Sequence, residues 1–175
     1  MRYNLDPFEL YPDSKLWEIL ERVKLKALAE NFEKSLEHPV TDGGGNFSVG
    51  ERQLICMARA LLLDPKVLLL DEATASLDQN TDQLIQTMIR KYFAHKTVLT
   101  IAHRLETIMD SDKVLVMDQG QIAEFGLPAD LLQQNGQFYE MVMADGPVTG
   151  ERLTTMAKTA AAAAKANKEG FDSPP

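Results

Sequence analysis

Val67-Leu-Leu-Leu-Asp-Glu-Ala-Thr-Ala-Ser-Leu-Asp78 decides the fold. An apolar run that follows Pro65 without polar alternation reads as a parallel strand buried on both faces. It hands two adjacent acids, Asp71 and Glu72, to the carboxyl end of the strand. In open α/β sheets that end is where ligands bind. Two ionised carboxylates at the rim of an apolar sheet cost free energy unless a cation or a proton-transfer role occupies them. A functional role is therefore the first expectation for this pair.

Working outward, Leu54, Ile55, Ala58, Leu61 and Leu62 recur at helical spacing just before the strand, predicting a helix from Gly50 or Glu51 to Asp64-Pro65. Ser48-x-x-Glu51 in front of it has the form of a capping box. Thr41-Asp-Gly-Gly-Gly-Asn46 breaks all periodicity and is a loop. Residues 1 to 40 carry looser helical patterns, one from Pro12-Asp13 with Asp13 as N-cap and one over Leu25 to Leu36. Beyond the strand, Asp78 caps a helix with Leu84, Ile85, Met88 and Ile89 on one face, ending near His95. Thr97 to Ala102 is a second buried strand ending at His103, and Lys113 to Met117 a third, turned by Asp118-Gln-Gly120 into a hairpin with Gln121 to Phe125. Pro128 opens a short helix through Gln134. Alternating strands and helices of this length imply an α/β fold with a largely parallel sheet. From 145 to 175 the composition turns to alanine and lysine, which predicts a poorly packed tail with at most a transient helix.

The 175 residues fit one domain plus a tail, and 45% apolar residues are enough for a core. A formal charge of −8 argues against nonspecific binding to nucleic acid or an anionic membrane surface. One cysteine, Cys56, excludes a disulfide framework or a cysteine metal site and makes a reducing compartment the default. No apolar run approaches the roughly 20 residues of a spanning helix, so no direct membrane insertion by this segment is expected.

Each candidate has a plain structural reading. Ser48 and Glu51 could simply cap their helix, although a helix N-terminus is also a ready phosphate site. His103 alone could be bonded to a carbonyl, and only its place at a strand end beside the carboxylates promotes it. His38 and His95 read as surface residues, Met57, Met88 and Met109 as core filler, and Lys158 and Lys165 as a solvated face.

In order and spacing, Phe47-Ser-Val-Gly-Glu-Arg-Gln53, Leu68 to Glu72, Ser76-Leu-Asp78 and His103 resemble the second half of the nucleotide-binding cassette of ABC transporters. Arg2-Tyr-Asn-Leu-Asp-Pro-Phe8, Gly44 to Gly50, Thr97 to Arg104 and Asp118 to Phe125 are most similar to the C-terminal cassette of the multidrug-resistance-protein (C) subfamily. The resemblance implies a partial P-loop NTPase: 1–46 as part of a helical subdomain with its lead-in loop, 47–144 as part of the ATPase core, and 145–175 as the tail. It implies ATP and Mg²⁺ as cofactors. Asp71 would hold Mg²⁺ through water, Glu72 would handle the attacking water, and His103 would contact the γ-phosphate. Ser48, Val49, Gly50 and Glu51, with Asp78, would serve the nucleotide of a partner cassette or the dimer interface. The implied partners are a second cassette and the transmembrane domains of an exporter at the cytosolic face of a membrane. A catalytically inactive docking module and a soluble cassette ATPase of translation or DNA repair are the alternatives.

The sequence departs from the family pattern in two places. No lysine follows a glycine, so the phosphate loop Gly-x-x-x-x-Gly-Lys-[Ser/Thr] is not in this chain. The chain is accordingly expected to begin partway through a cassette, to leave the strands at Thr97 and Lys113 without a neighbour, to expose apolar edges and to bind ATP poorly by itself. The second departure is Val49-Gly-Glu51 where most cassettes have Gly-Gly-Gln, which brings a carboxylate near the nucleotide.

Overall fold

A computed structural model describes residues 1–71, 78–102 and 104–169. The chain is α/β and divides into two compact units, Met1–Ile101 and Ala102–Pro175. That division falls at the end of a strand, and helices on both sides of residue 46 share one core.

In the first unit, α1 (Arg2–Leu5) lies near α4 (Val49–Leu63), and the Arg59 guanidinium donates to the Asn4 carbonyl at 2.6 Å. The Asp6 carboxylate, 3% exposed, accepts from the amides of Leu10 and Tyr11 at 3.0 and 2.8 Å, which satisfies the turn leading out of α1. Helix α2 (Asp13–Arg22) buries Leu16, Ile19 and Leu20. Asp13 does not act as its N-cap. It is the first helical residue, and its carboxylate accepts from Arg2 Nε at 2.9 Å instead. The expected helix over 25–36 shortens to α3 (Lys26–Glu30) plus a 3₁₀ turn at Ser35–Glu37, with Ser35 at φ +50 ending any continuous helix.

Strand β1 (Val67–Asp71) pairs in parallel with β2 (Thr97–Ile101), Leu69 beside Leu99 and Asp71 beside Ile101. The crossover contains α5 (Gln79–Tyr92), three residues shorter at its end than predicted. Expectation and structure part company at the strands' burial. Leu68 and Leu70 pack into the helical core, but Val67, Leu69, Leu99 and Ile101 are 54%, 70%, 58% and 62% exposed. The apolar run is long enough to be buried twice over, and among the described residues of this unit only one face is covered.

In the second unit, β3 (Val114–Asp118) and β4 (Gln121–Gly126) form the predicted hairpin. Gln119 and Gly120, at φ +46 and +78, make the tight left-handed turn that matches strand twist. Val114 and Val116 face inward, while Leu115 and Met117 face solvent. Helix α6 (Pro128–Gln134) starts on proline and ends at Asn135 in the left-handed region. The Glu124 carboxylate then caps α7 (Gln137–Met143) by accepting from the amides of Gln137 and Phe138.

The tail corrects another expectation. Residues Pro147–Glu169 form one helix, α8, whose Leu153 and Ala157 are 2% and 1% exposed in a core shared with Leu131, Phe138 and Val142. Alanine is the best helix former, and one leucine in register with one alanine gives the helix a narrow apolar stripe with which to dock. No helix among the described residues is long and apolar enough to cross a membrane.

Candidate functional site

The site is built at the amino end of α4. Ser48 is the N-cap: its hydroxyl accepts from the Glu51 amide at 3.2 Å, and the Glu51 carboxylate accepts from the Ser48 amide at 2.7 Å. This reciprocal box uses two donors. Among the described residues it leaves the first-turn amides of Val49 and Gly50 unpaired, and the positive end of a fifteen-residue helix adds to them. The capping and phosphate-site readings are therefore compatible, because the box fixes the turn without consuming the donors that an anion needs.

The glycine loop is tied to this turn. Arg52 Nη1 donates to the carbonyls of Gly44 and Phe47 at 3.3 and 3.1 Å. Gly43 and Gly44 sit at φ +66 and +68, and a Cβ on Gly44 would lie 2.8 Å from Arg52 Cδ. Phe47, buried, meets Phe32 edge-on at 5.8 Å, anchoring the loop on the core.

Asp78 stands across from the turn. Its carboxylate caps α5, accepting from the amides of Asn80 and Thr81 at 3.0 Å each and from the Thr81 hydroxyl at 2.7 Å. These bonds, the Thr81 hydroxyl first, hold its pKa below the ordinary value of 3.8. Ser48, Val49, Gly50, Glu51, Leu54, Asp78 and Thr81 together line a cleft of about 300 Å³. Asp71 ends β1, exposed, as expected of a strand-end carboxylate. Among the described residues no three acids, histidines or cysteines cluster as a metal site. Glu72, Ser76 and His103 lie outside the described residues. The structure thus brings together Ser48, Val49, Gly50, Glu51 and Asp78 in one cleft.

Two residues of this site escape sequence reading. Thr81 was legible in principle, since Asp78-x-x-Thr81 has the spacing of an N-cap and its N3 residue. Arg52 was not, because nothing in its position announces that it bonds backwards to two loop carbonyls.

A profile described as ABC transporter matches residues 2–75. The human ATP-binding cassette sub-family C member 2 is 55% identical over 146 residues, 83% of this chain and 9% of that protein. A probable multidrug resistance-associated protein of Drosophila melanogaster, lethal(2)03659, is 51% identical over 160 residues, 90% of this chain and 12% of that protein. This chain is an ABC transporter cassette segment of the C-subfamily type. A solved bacterial Atm1-family ABC exporter with ATP bound superposes with a TM-score of 0.74 at 34% identity, over 83% of this chain and 26% of that one. The chain spans about a tenth of the length of the curated relatives it matches. The family model implies ATP binding by such a cassette.

Proposed function

We propose that this chain supplies the signature turn, Asp71 and Glu72 of an exporter cassette whose ATP hydrolysis drives transmembrane transport. The observation that carries the reading is the turn at Ser48–Glu51: a capped helix start with two unpaired amides, opening on a cleft rather than buried in the core. Ser48 and Gly50 would hold the terminal phosphate of a nucleotide seated on a partner cassette, with donors preset by the capping box. Phosphoryl transfer demands mainly such positioning and charge stabilisation. Asp71, exposed at its strand end, fits a water-mediated contact to Mg²⁺, which would neutralise phosphate charge when bound. Glu72 orients and deprotonates the attacking water, and His103 contacts the γ-phosphate. Both assignments rest on the sequence motifs.

The phosphate loop is not in this chain, so the Asp71-Glu72 site is completed only by a segment that carries one. The proposed partners are that segment, a second cassette and the membrane-spanning domains of a transporter, with this segment at the cytosolic face. The test is a chimera in which these residues replace the matching 146-residue segment of the human relative. ATP turnover is expected to survive the exchange and to fall at least a hundred-fold on Glu72→Gln, the order expected for removing a general base. Unchanged turnover in Glu72→Gln would show that this carboxylate is not catalytic.

A further inference from the structure

Thr81 and Gly50 face each other across the cleft. A Cβ on Gly50 would lie 3.2 Å from Thr81 Cγ2 and 3.4 Å from Thr81 Oγ1, tighter than ordinary van der Waals contact. Gly50 is not among the positive-φ glycines, so what a side chain there would meet is set by Thr81 and not by φ. That side chain is itself locked: its hydroxyl donates to Asp78 Oδ2 at 2.7 Å while its amide donates to Asp78 Oδ1 at 3.0 Å. A β-branched residue has few rotamers open to it, and fixing the hydroxyl fixes the methyl. The methyl is what Gly50 meets.

We propose that Thr81 is a positioning residue that couples the Asp78 carboxylate to the phosphate-binding turn at Gly50 within one cassette. Asp78 holds the Thr81 hydroxyl, the Thr81 methyl sets how near α5 stands to α4, and the Gly50 amide is thereby held where a phosphate oxygen can reach it. A movement of Asp78, the last residue of the Ser76-Leu-Asp78 segment, is passed to the Gly50 amide through one side chain. The role rests on the proposed use of Ser48–Glu51 as a nucleotide phosphate site.

The experiment reads both ends of the link. In the chain itself, Thr81→Val keeps the volume and removes the hydroxyl, and is expected to raise the Asp78 pKa and shift the Gly50 amide resonance in NMR. Thr81→Ser restores the hydroxyl and is expected to return the Asp78 pKa. In the chimera, the azido-ATP concentration for half-maximal labelling of the partner cassette should rise about five-fold in Thr81→Val, the worth of one neutral hydrogen bond. Gly50→Ala should raise it further, and adding Thr81→Ser should recover at least half of that loss, since removing Cγ2 relieves the 3.2 Å contact. A Gly50→Ala defect untouched by Thr81→Ser, with Ser48→Ala still weakening labelling, overturns the role of Thr81 alone. Wild-type labelling in Ser48→Ala and Thr81→Val alike overturns the phosphate-turn reading. An unmoved Gly50 resonance in Thr81→Val refutes the mechanical link whatever the nucleotide data show.

Discussion

Replacing Leu153 with alanine should weaken the docking of α8 on its unit while leaving the rest of the chain folded. Leu153 is 2% exposed and Ala157 1%, and with half-buried Ala161 they are the apolar residues that α8 contributes to its core. Burying a leucine is worth about 1.5–3 kcal/mol and a methyl group about 0.8 kcal/mol. Docking of this stripe is therefore worth about 3 kcal/mol, against which helix ordering costs little in so alanine-rich a segment. A buried Leu→Ala change elsewhere in a core costs about 2–5 kcal/mol. Here the loss cannot exceed the docking energy, because the helix detaches once that much is gone. About 2 kcal/mol is the expected figure, which lowers amide protection roughly thirty-fold. Hydrogen exchange over residues 150–160 reads it directly, with amides of α4 as an internal reference. Lys158→Ala, on the exposed side of the same helix, should leave protection unchanged. Equal exchange in Leu153→Ala and wild type would refute the docking argument, as would a wild-type 150–160 segment with no protection at all.

Ser48→Ala should cost about 1 kcal/mol in urea unfolding of the first unit, the usual worth of an N-cap. Glu51→Gln should be nearly neutral, because a glutamine oxygen can still accept from the Ser48 amide and only a charge–dipole contribution of about 0.3–1 kcal/mol is lost. The Asp78 cap should weaken in acid: its folded pKa is lowered, so its contribution is full above 3.8 and disappears as pH falls through the lower folded value. An NMR titration following Asn80 and Thr81 amide exchange should show that loss, and Asp78→Asn should abolish the pH dependence. The isolated chain should self-associate through the uncovered face of β1 and β2, and Leu69→Glu with Ile101→Lys should return it to monomer in sedimentation; equal self-association in the double variant would move the sticky surface elsewhere.

Much of the site was written in local sequence because its parts are local interactions. Ser48 and Glu51 are three residues apart on one helix turn, so a capping box needs no partner from elsewhere in the chain. Asp78 capping α5 and the Gln119-Gly120 turn are legible for the same reason. The Asp13 expectation failed because capping competes with any nearby cation, and Arg2 arrives from a separate helix. Helical spacing continues through Ser35 and predicts a helix over 25–36, but the backbone turns left-handed at that residue.

By itself the sequence determined the order of elements, the motif set and with it the family, since each of these is a pattern of neighbours along the chain. Tertiary structure decided what covers what. The run Val67–Leu70 looks the same whether one face or two are buried, and only the packing of α4 and α5 shows that Leu69 is left in the open. An alanine-rich tail looks the same docked or free, and a single leucine in register with the core makes the difference. Gly50 looks like any motif glycine until Thr81, thirty-one residues later, is found 3.2 Å from where its Cβ would be. Spacing along a helix or strand is fixed by backbone geometry, but which faces meet is fixed by residues far apart in the chain, and a single sequence does not pair them.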